Sequence, residues 1–236
     1  MSVDIYFFIE VQDKEGKWHL AKHYSDGEYF DKDDPTEWDF EKVIEVNGKR
    51  MIEKYEIWPG LAWRDELSWS RAWEYCPTVD GLPKDVSDEL KSLIIEHGER
   101  EKARRKPMYG DNYEYDYMKQ YAYIGLDDMV KIQHKKFEDW KKRLKERVRD
   151  DQLEDIKKRV AHIEKIALGK ADKPLKVSKK NEDYCYEDTL EYLLEEDLFD
   201  VLALKRETNE VYTIASNFSG NRWIDNEKIR VIYYYN

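Results

Sequence analysis

Two segments of high β-propensity stand near opposite ends of this chain. Ile5-Tyr6-Phe7-Phe8-Ile9-Glu10 lies at one end and Arg230-Val231-Ile232-Tyr233-Tyr234-Tyr235 at the other. β-branched and aromatic side chains suit a pleated surface that packs on its neighbours. Terminal segments of this kind pair as strands of one sheet, which closes the 236 residues into a single domain. Residues 3–11 read as a strand partly buried on both faces, and 228–235 as the last strand.

Between the ends, the order of elements predicts an α+β fold. Its mixed, mostly antiparallel sheet draws strands from both chain ends. Lys14-Glu15-Gly16-Lys17 is a turn, and Trp18 to Tyr24 reads as the returning strand of a hairpin. A second hairpin spans 42–57, turning at Asn47-Gly48, because both residues tolerate positive φ. Tryptophan spacing suggests a helix over 66–75 that stops before Pro77. Asp85 or Ser87 can cap a helix that ends near Gly98. Leu126, Met129, Val130, Gln133, Phe137, Trp140, Leu144 and Val148 recur at three or four residues, the stripe of an amphipathic helix. The stripe changes phase at Asp150-Asp151 and resumes at Leu153. Residues 126–168 are therefore expected to be a helical appendage, either a helical hairpin or one kinked long helix. A short helix over 187–196 and a hairpin over 201–215, turning at Thr208-Asn209, complete the reading.

The aromatic load, with 18 Tyr and 8 Trp, argues against disorder. The net charge of −11 disfavours non-specific nucleic-acid binding, which depends on phosphate contacts. Cys76 and Cys185 form no C-x-x-C pair and read as two reduced thiols. The first residues show no signal-peptide pattern. The longest apolar run there, Ile5 to Ile9, is far short of the roughly 20 residues that span a bilayer. A cytoplasmic setting with no membrane partner is expected.

No P-loop, G-x-G-x-x-G, G-x-S-x-G or EF-hand pattern occurs. His19 and His23 stand four apart on a strand without the Glu of a zinc motif, and read as ordinary edge histidines rather than metal ligands. Asp4, Tyr6, Phe8 and Glu10 share strand parity and so one face. That face is either solvent-facing or the polar floor of a pocket. Trp58, Trp63, Trp69 and Trp73, with Arg64 and Arg71, form the strongest ligand-binding signal. Indoles stack on bases, and guanidinium pairs bidentately with phosphate. Core packing is the competing explanation, and it applies equally to the tyrosines of 109–123. The basic residues of 131–159 are interleaved with acids and read as a solvated helix face.

Asp4, Ile5, Glu10, Gly16-Lys17-Trp18, Tyr55-Glu56-Ile57-Trp58, Leu61-Ala62-Trp63-Arg64, Gly81-Leu82-Pro83-Lys84-Asp85-Val86-Ser87, Leu126-Asp127-Asp128-Met129 and the ending from Arg230 resemble blocks of a tailed-phage protein family. Members begin Met-Gly-Cys-Asp-Ile-His and have no assigned function. The block at 81–87, which matches the family's Gly-Leu-Pro-x-Asp-Val-Ser, is the distinctive one. The chain departs from the pattern at Tyr6, where the family has histidine. It departs again at Lys119 and Tyr121, near the places of a histidine-rich stretch. The resemblance implies a phage origin and the cytoplasm of an infected host cell. The departures weigh against a metal-dependent hydrolase.

Three functions follow as expectations. The first is an anti-defence protein that binds and sequesters a host nucleotide immune signal, a cyclic dinucleotide or an ADP-ribose derivative, without cleaving it. Asp4, Tyr6, Glu10, Trp58, Trp63, Arg64, Trp69, Trp73, Lys119 and Tyr121 would line its site, with no metal and no cofactor. The second is an acidic protein that inhibits a host defence enzyme by contact or nucleic-acid mimicry through the acids of 26–45. The third is a nucleotide hydrolase using Asp4 and Glu10 as acid and base. A homo-oligomer is left open.

Overall fold

The computed structural model describes residues 5–26, 41–58, 79–110, 121–147 and 186–235, together with helical positions 154, 157, 158 and 161. The two ends of the chain meet as expected. Strand β1 (Ile5–Gln12) pairs antiparallel with the last strand, β9 (Ile229–Tyr235), from Ile5 opposite Tyr235 to Val11 opposite Ile229. The other side of β9 pairs with β8 (Tyr121–Gly125), which in turn pairs with β7 (Val79–Asp80). The free edge of β1 carries two short strands, β2 (Trp18–Leu20) and β6 (Glu56–Ile57). A smaller antiparallel sheet, in the order β3 (His23–Asp26), β5 (Lys49–Lys54), β4 (Glu41–Val46), leaves the main sheet after β2 and returns to it at β6. The fold is α+β.

Both faces of the main sheet are covered, which explains why β1 and β9 are apolar at nearly every position. One face presents Ile5, Phe7, Ile9, Val11, Ala122, Ile124, Val231 and Tyr233 to a core shared with two helices. These are α2 (Leu126–Arg147) and α3 (Tyr186–Ser219). The opposite face presents Phe8, Tyr121, Ile232 and Tyr234 to Leu90 and Ile94 of α1 (Asp88–Tyr109). The face shared by Tyr6, Phe8 and Glu10 is therefore interior, not solvent-facing. Leu126, Met129 and Ile132 belong to the core, so the first part of the span 126–168 is body rather than appendage. Whether the rest makes a hairpin or a kinked helix lies outside the described residues, as do the helix expected at 66–75 and both cysteines.

The turns follow their residues. Asn47 (φ 52°) and Gly48 (φ 74°) are both left-handed, the two-residue turn that matches strand twist. Asp13 organises the β1–β2 turn. One of its carboxylate oxygens accepts from the N–H groups of Glu15 and Lys17, at 2.8 and 2.9 Å, and the other is 2.8 Å from His19 Nε2. The His19 hydrogen bond, then that from Lys17, holds the Asp13 carboxyl down at about 2. A carboxylate depressed in the folded state adds stability that is present above its ordinary value of about 3.9. That stability is lost as pH falls through about 2. Carboxyl NMR is expected to give an Asp13 midpoint near 2. A midpoint near the ordinary value would show that the turn does not hold the charge.

Ser87 is the N-cap of α1, its hydroxyl accepting from Leu90 N at 3.2 Å. Ser87→Ala is expected to cost about 1 kcal/mol, read as a lower denaturation midpoint at unchanged slope. An unchanged midpoint would assign the cap no net effect.

Three further expectations are corrected. Helix α1 does not end near Gly98 but continues to Tyr109, through the basic run and Pro107. Glycine lowers helix propensity by only about 1 kcal/mol, too little to end a helix that buries Leu90, Ile94, His97 and Glu101. Residues 201–215 are not a hairpin but the interior of α3. Leu204, Thr208, Val211 and Ala215 are buried at helical spacing. Thr208 and Thr213 donate their hydroxyls to the carbonyls of Leu204 and Asn209 one turn earlier, so the supposed turn residues are satisfied within the helix. The return over Trp18–Tyr24 is likewise broken, β2 and β3 belonging to different sheets.

Candidate functional site

The face of the sheet beneath α1 carries two features, a polar cluster and an aromatic row. Glu10 stands directly across from Arg230 in the β1–β9 ladder. Its side chain is 0% exposed and that of Arg230 7%. Arg230 directs Nε and Nη2 at one carboxylate oxygen of Glu10, at 2.8 and 2.7 Å. The other oxygen accepts from the Ser87 N–H at 2.8 Å. Arg230 Nη1 reaches Asp85 Oδ1 at 2.7 Å, and Nη2 reaches the Asp85 carbonyl at 2.9 Å. Trp18 donates its indole N–H to the second Asp85 oxygen at 2.9 Å. The guanidinium lies over the Trp18 ring, 3.9 Å from its centroid. Hydrogen bonding from Arg230 holds the Asp85 carboxyl below the usual carboxylate range.

This cluster is a clamp. It ties β1, β2, β9 and the start of α1 together with charge-assisted bonds. Both oxygens of Glu10 are engaged by Arg230 and Ser87 and its side chain is 0% exposed, so it presents no face at which a substrate could meet it.

The aromatic row crosses four neighbouring strands. Trp58, just after β6, meets Tyr6 edge-on at 5.3 Å between centroids. Tyr6 stacks on Tyr234 at 6.1 Å, and Tyr234 on Tyr121 at 5.0 Å. Tyr6, Tyr234 and Tyr121 are opposite one another in the ladder, which fixes this order. His97 of α1 adds an edge contact to Tyr234 at 5.3 Å. Tyr121 is 0% exposed and serves as core, whereas Trp58 is 51% exposed and Tyr6 half-buried. Only the Trp58–Tyr6 end of the row meets solvent. Of the residues expected to line a site, Tyr6, Trp58 and Tyr121 come together in this row and Glu10 belongs to the clamp. Asp4, Trp63, Arg64, Trp69, Trp73 and Lys119 lie outside the described residues.

Sequence reasoning missed Arg230 as the partner of Glu10, and Asp85 and Trp18 as the further partners of Arg230. Their signal was an acid inside an apolar strand, which implies a buried cation opposite it. His19 and His23 do not converge, since His19 bonds Asp13 while His23 bonds the Glu56 carbonyl at 2.9 Å. Among the described residues no group of three or more His, Cys, Asp or Glu could hold a metal, and no helix is long and apolar enough to cross a membrane. No family model matches the chain, and neither a curated protein nor a solved structure matches it.

Proposed function

We propose that this chain binds a small nucleotide-derived ligand and holds it without cleaving it. In the phage setting that the resemblance implies, the ligand is a host immune signal such as a cyclic dinucleotide or an ADP-ribose derivative, and the protein acts by sequestration. The observation that supports this reading is the half-exposed Trp58 indole at the end of a row whose buried remainder fixes its geometry. A rigid indole with one free side is a stacking platform for a base. Trp63 and Arg64 follow it closely in sequence, and their residue types suit base stacking and phosphate pairing. The hydrolase reading is the weaker one, because the carboxylate it needs at Glu10 is consumed by Arg230 and Ser87.

The test is recovery of the ligand. Protein incubated with candidate cyclic dinucleotides and ADP-ribose derivatives, washed and heated, is expected to release one of them intact in stoichiometric amount by mass spectrometry. Release of hydrolysed product would replace sequestration with catalysis. Binding of none of them would overturn the reading.

A further inference from the structure

A concave site lies at the far end of β1. It is a cleft of about 390 Å³ between the β1–β2 turn and the segment that joins α3 to β9. This volume is that of a small-molecule site. Val11, which lines it, is five residues along β1 from Tyr6, roughly 17 Å at strand spacing. Val11 also faces the α2–α3 side of the sheet, whereas Tyr6 faces α1. The cleft is thus separate from the Trp58 surface.

Its walls divide into an apolar part and a cationic part. Val11, Ile224 and the Phe218 ring, 39% exposed, give the apolar wall. Lys14 and Lys228 give the cationic one, with the His19 imidazole also lining it. Among the described residues neither lysine has an ion pair, although carboxylates outnumber cations in this chain. Two carboxylates also line the cleft, Asp13 and Glu15. Asp13 turns its oxygens to two backbone N–H groups and to His19, which offset part of its charge. It also orients the imidazole, leaving His19 Nδ1 as the ring nitrogen a ligand can meet. Glu15 is exposed and can accept from a ligand hydroxyl.

The loop between α3 and β9 is held in shape by its own polar groups. Asn221 Oδ1 accepts from Trp223 N at 3.0 Å, Ser219 Oγ accepts from Asn221 N at 3.2 Å, and Tyr212 donates its hydroxyl to the Arg222 carbonyl at 3.1 Å. This ordered loop leaves Trp223 87% exposed between two residues that line the cleft.

We infer that this cleft is a binding site for a small phosphomonoester with a flat apolar body, its phosphate between Lys14, Lys228 and His19 and its body against Phe218. A nucleoside monophosphate has this chemistry, with ribose hydroxyls for Glu15. Calorimetric titration of the full chain with AMP, adenosine and inorganic phosphate tests it. AMP is expected to bind more tightly than either fragment. Lys14→Ala and Lys228→Ala are each expected to weaken AMP roughly tenfold, the loss of one charge-assisted bond. Both lysines are surface residues, so thermal melting of the variants is expected to stay at the parent value. Phe218→Ala is expected to weaken AMP while leaving inorganic phosphate unchanged. Absence of AMP binding would overturn the inference. So would AMP binding that survives both lysine substitutions and is lost with Trp58→Ala, which would place the nucleotide on the other surface.

Discussion

Arg230→Met is expected to destabilise the fold by about 3–5 kcal/mol, the cost of leaving a buried carboxylate without its cation. Glu10 would keep only the Ser87 N–H, at 0% exposure. Asp85 would lose its guanidinium partner, and Trp18 the cation over its ring. That is a large share of the roughly 5–15 kcal/mol by which domains are stable. Arg230→Lys is expected to recover only part, because an ammonium cannot present a fork to Glu10 and Asp85 together. The paired change Glu10→Leu with Arg230→Met is expected to regain much of the loss, since it removes both buried charges. Urea denaturation of the three variants decides the matter. An Arg230→Met variant within about 1 kcal/mol of the parent would mean that the cluster behaves as a surface ion pair.

The second large effect concerns ligand capture. Trp58→Ala is expected to weaken binding of the captured nucleotide by roughly tenfold to a hundredfold, the stacking contribution of one aromatic ring. The substitution removes a half-exposed ring after a two-residue edge strand, so the fold is expected to retain its stability within about 1 kcal/mol. Tyr121→Phe provides the contrast. Tyr121 is 0% exposed, at the buried opposite end of the same row, and a ligand on the Trp58 end does not reach it. Its conversion is expected to leave affinity unchanged. A Tyr121→Phe variant that binds as weakly as Trp58→Ala would place the ligand inside the row instead of at its end.

What the sequence revealed depended on the kind of signal. The terminal strands were legible because β-branched and aromatic residues persist there without interruption, and the Asn47-Gly48 turn because few dipeptides accept two left-handed residues. The start of α1 was legible from Ser87, whereas its end was not. Gly98 and the charged run look like an ending, but burial of one helix face outweighs a modest propensity cost. In α3 Val211 to Ile214 favour a strand by type although Leu202 to Glu207 are good helix formers, and the deciding spacing of Leu204, Thr208, Val211 and Ala215 is disguised by polar Thr208. The clamp was half visible. An acid among aromatics at Glu10 announced a partner, but the partner lies 220 positions away and only strand register selects it. The aromatic row shows the same limit. Sequence types nominate Tyr6, Trp58 and Tyr121 alike, and only the layering of α1 over the sheet separates the buried ring from the exposed one.

The most direct measurement is calorimetric titration of the parent chain and of Trp58→Ala with a panel of cyclic dinucleotides and ADP-ribose derivatives. The account predicts saturable binding of at least one compound to the parent, weakened roughly tenfold or more in the variant, with the compound recovered chemically intact. Equal affinity in parent and variant, or no heat from any nucleotide, would contradict it.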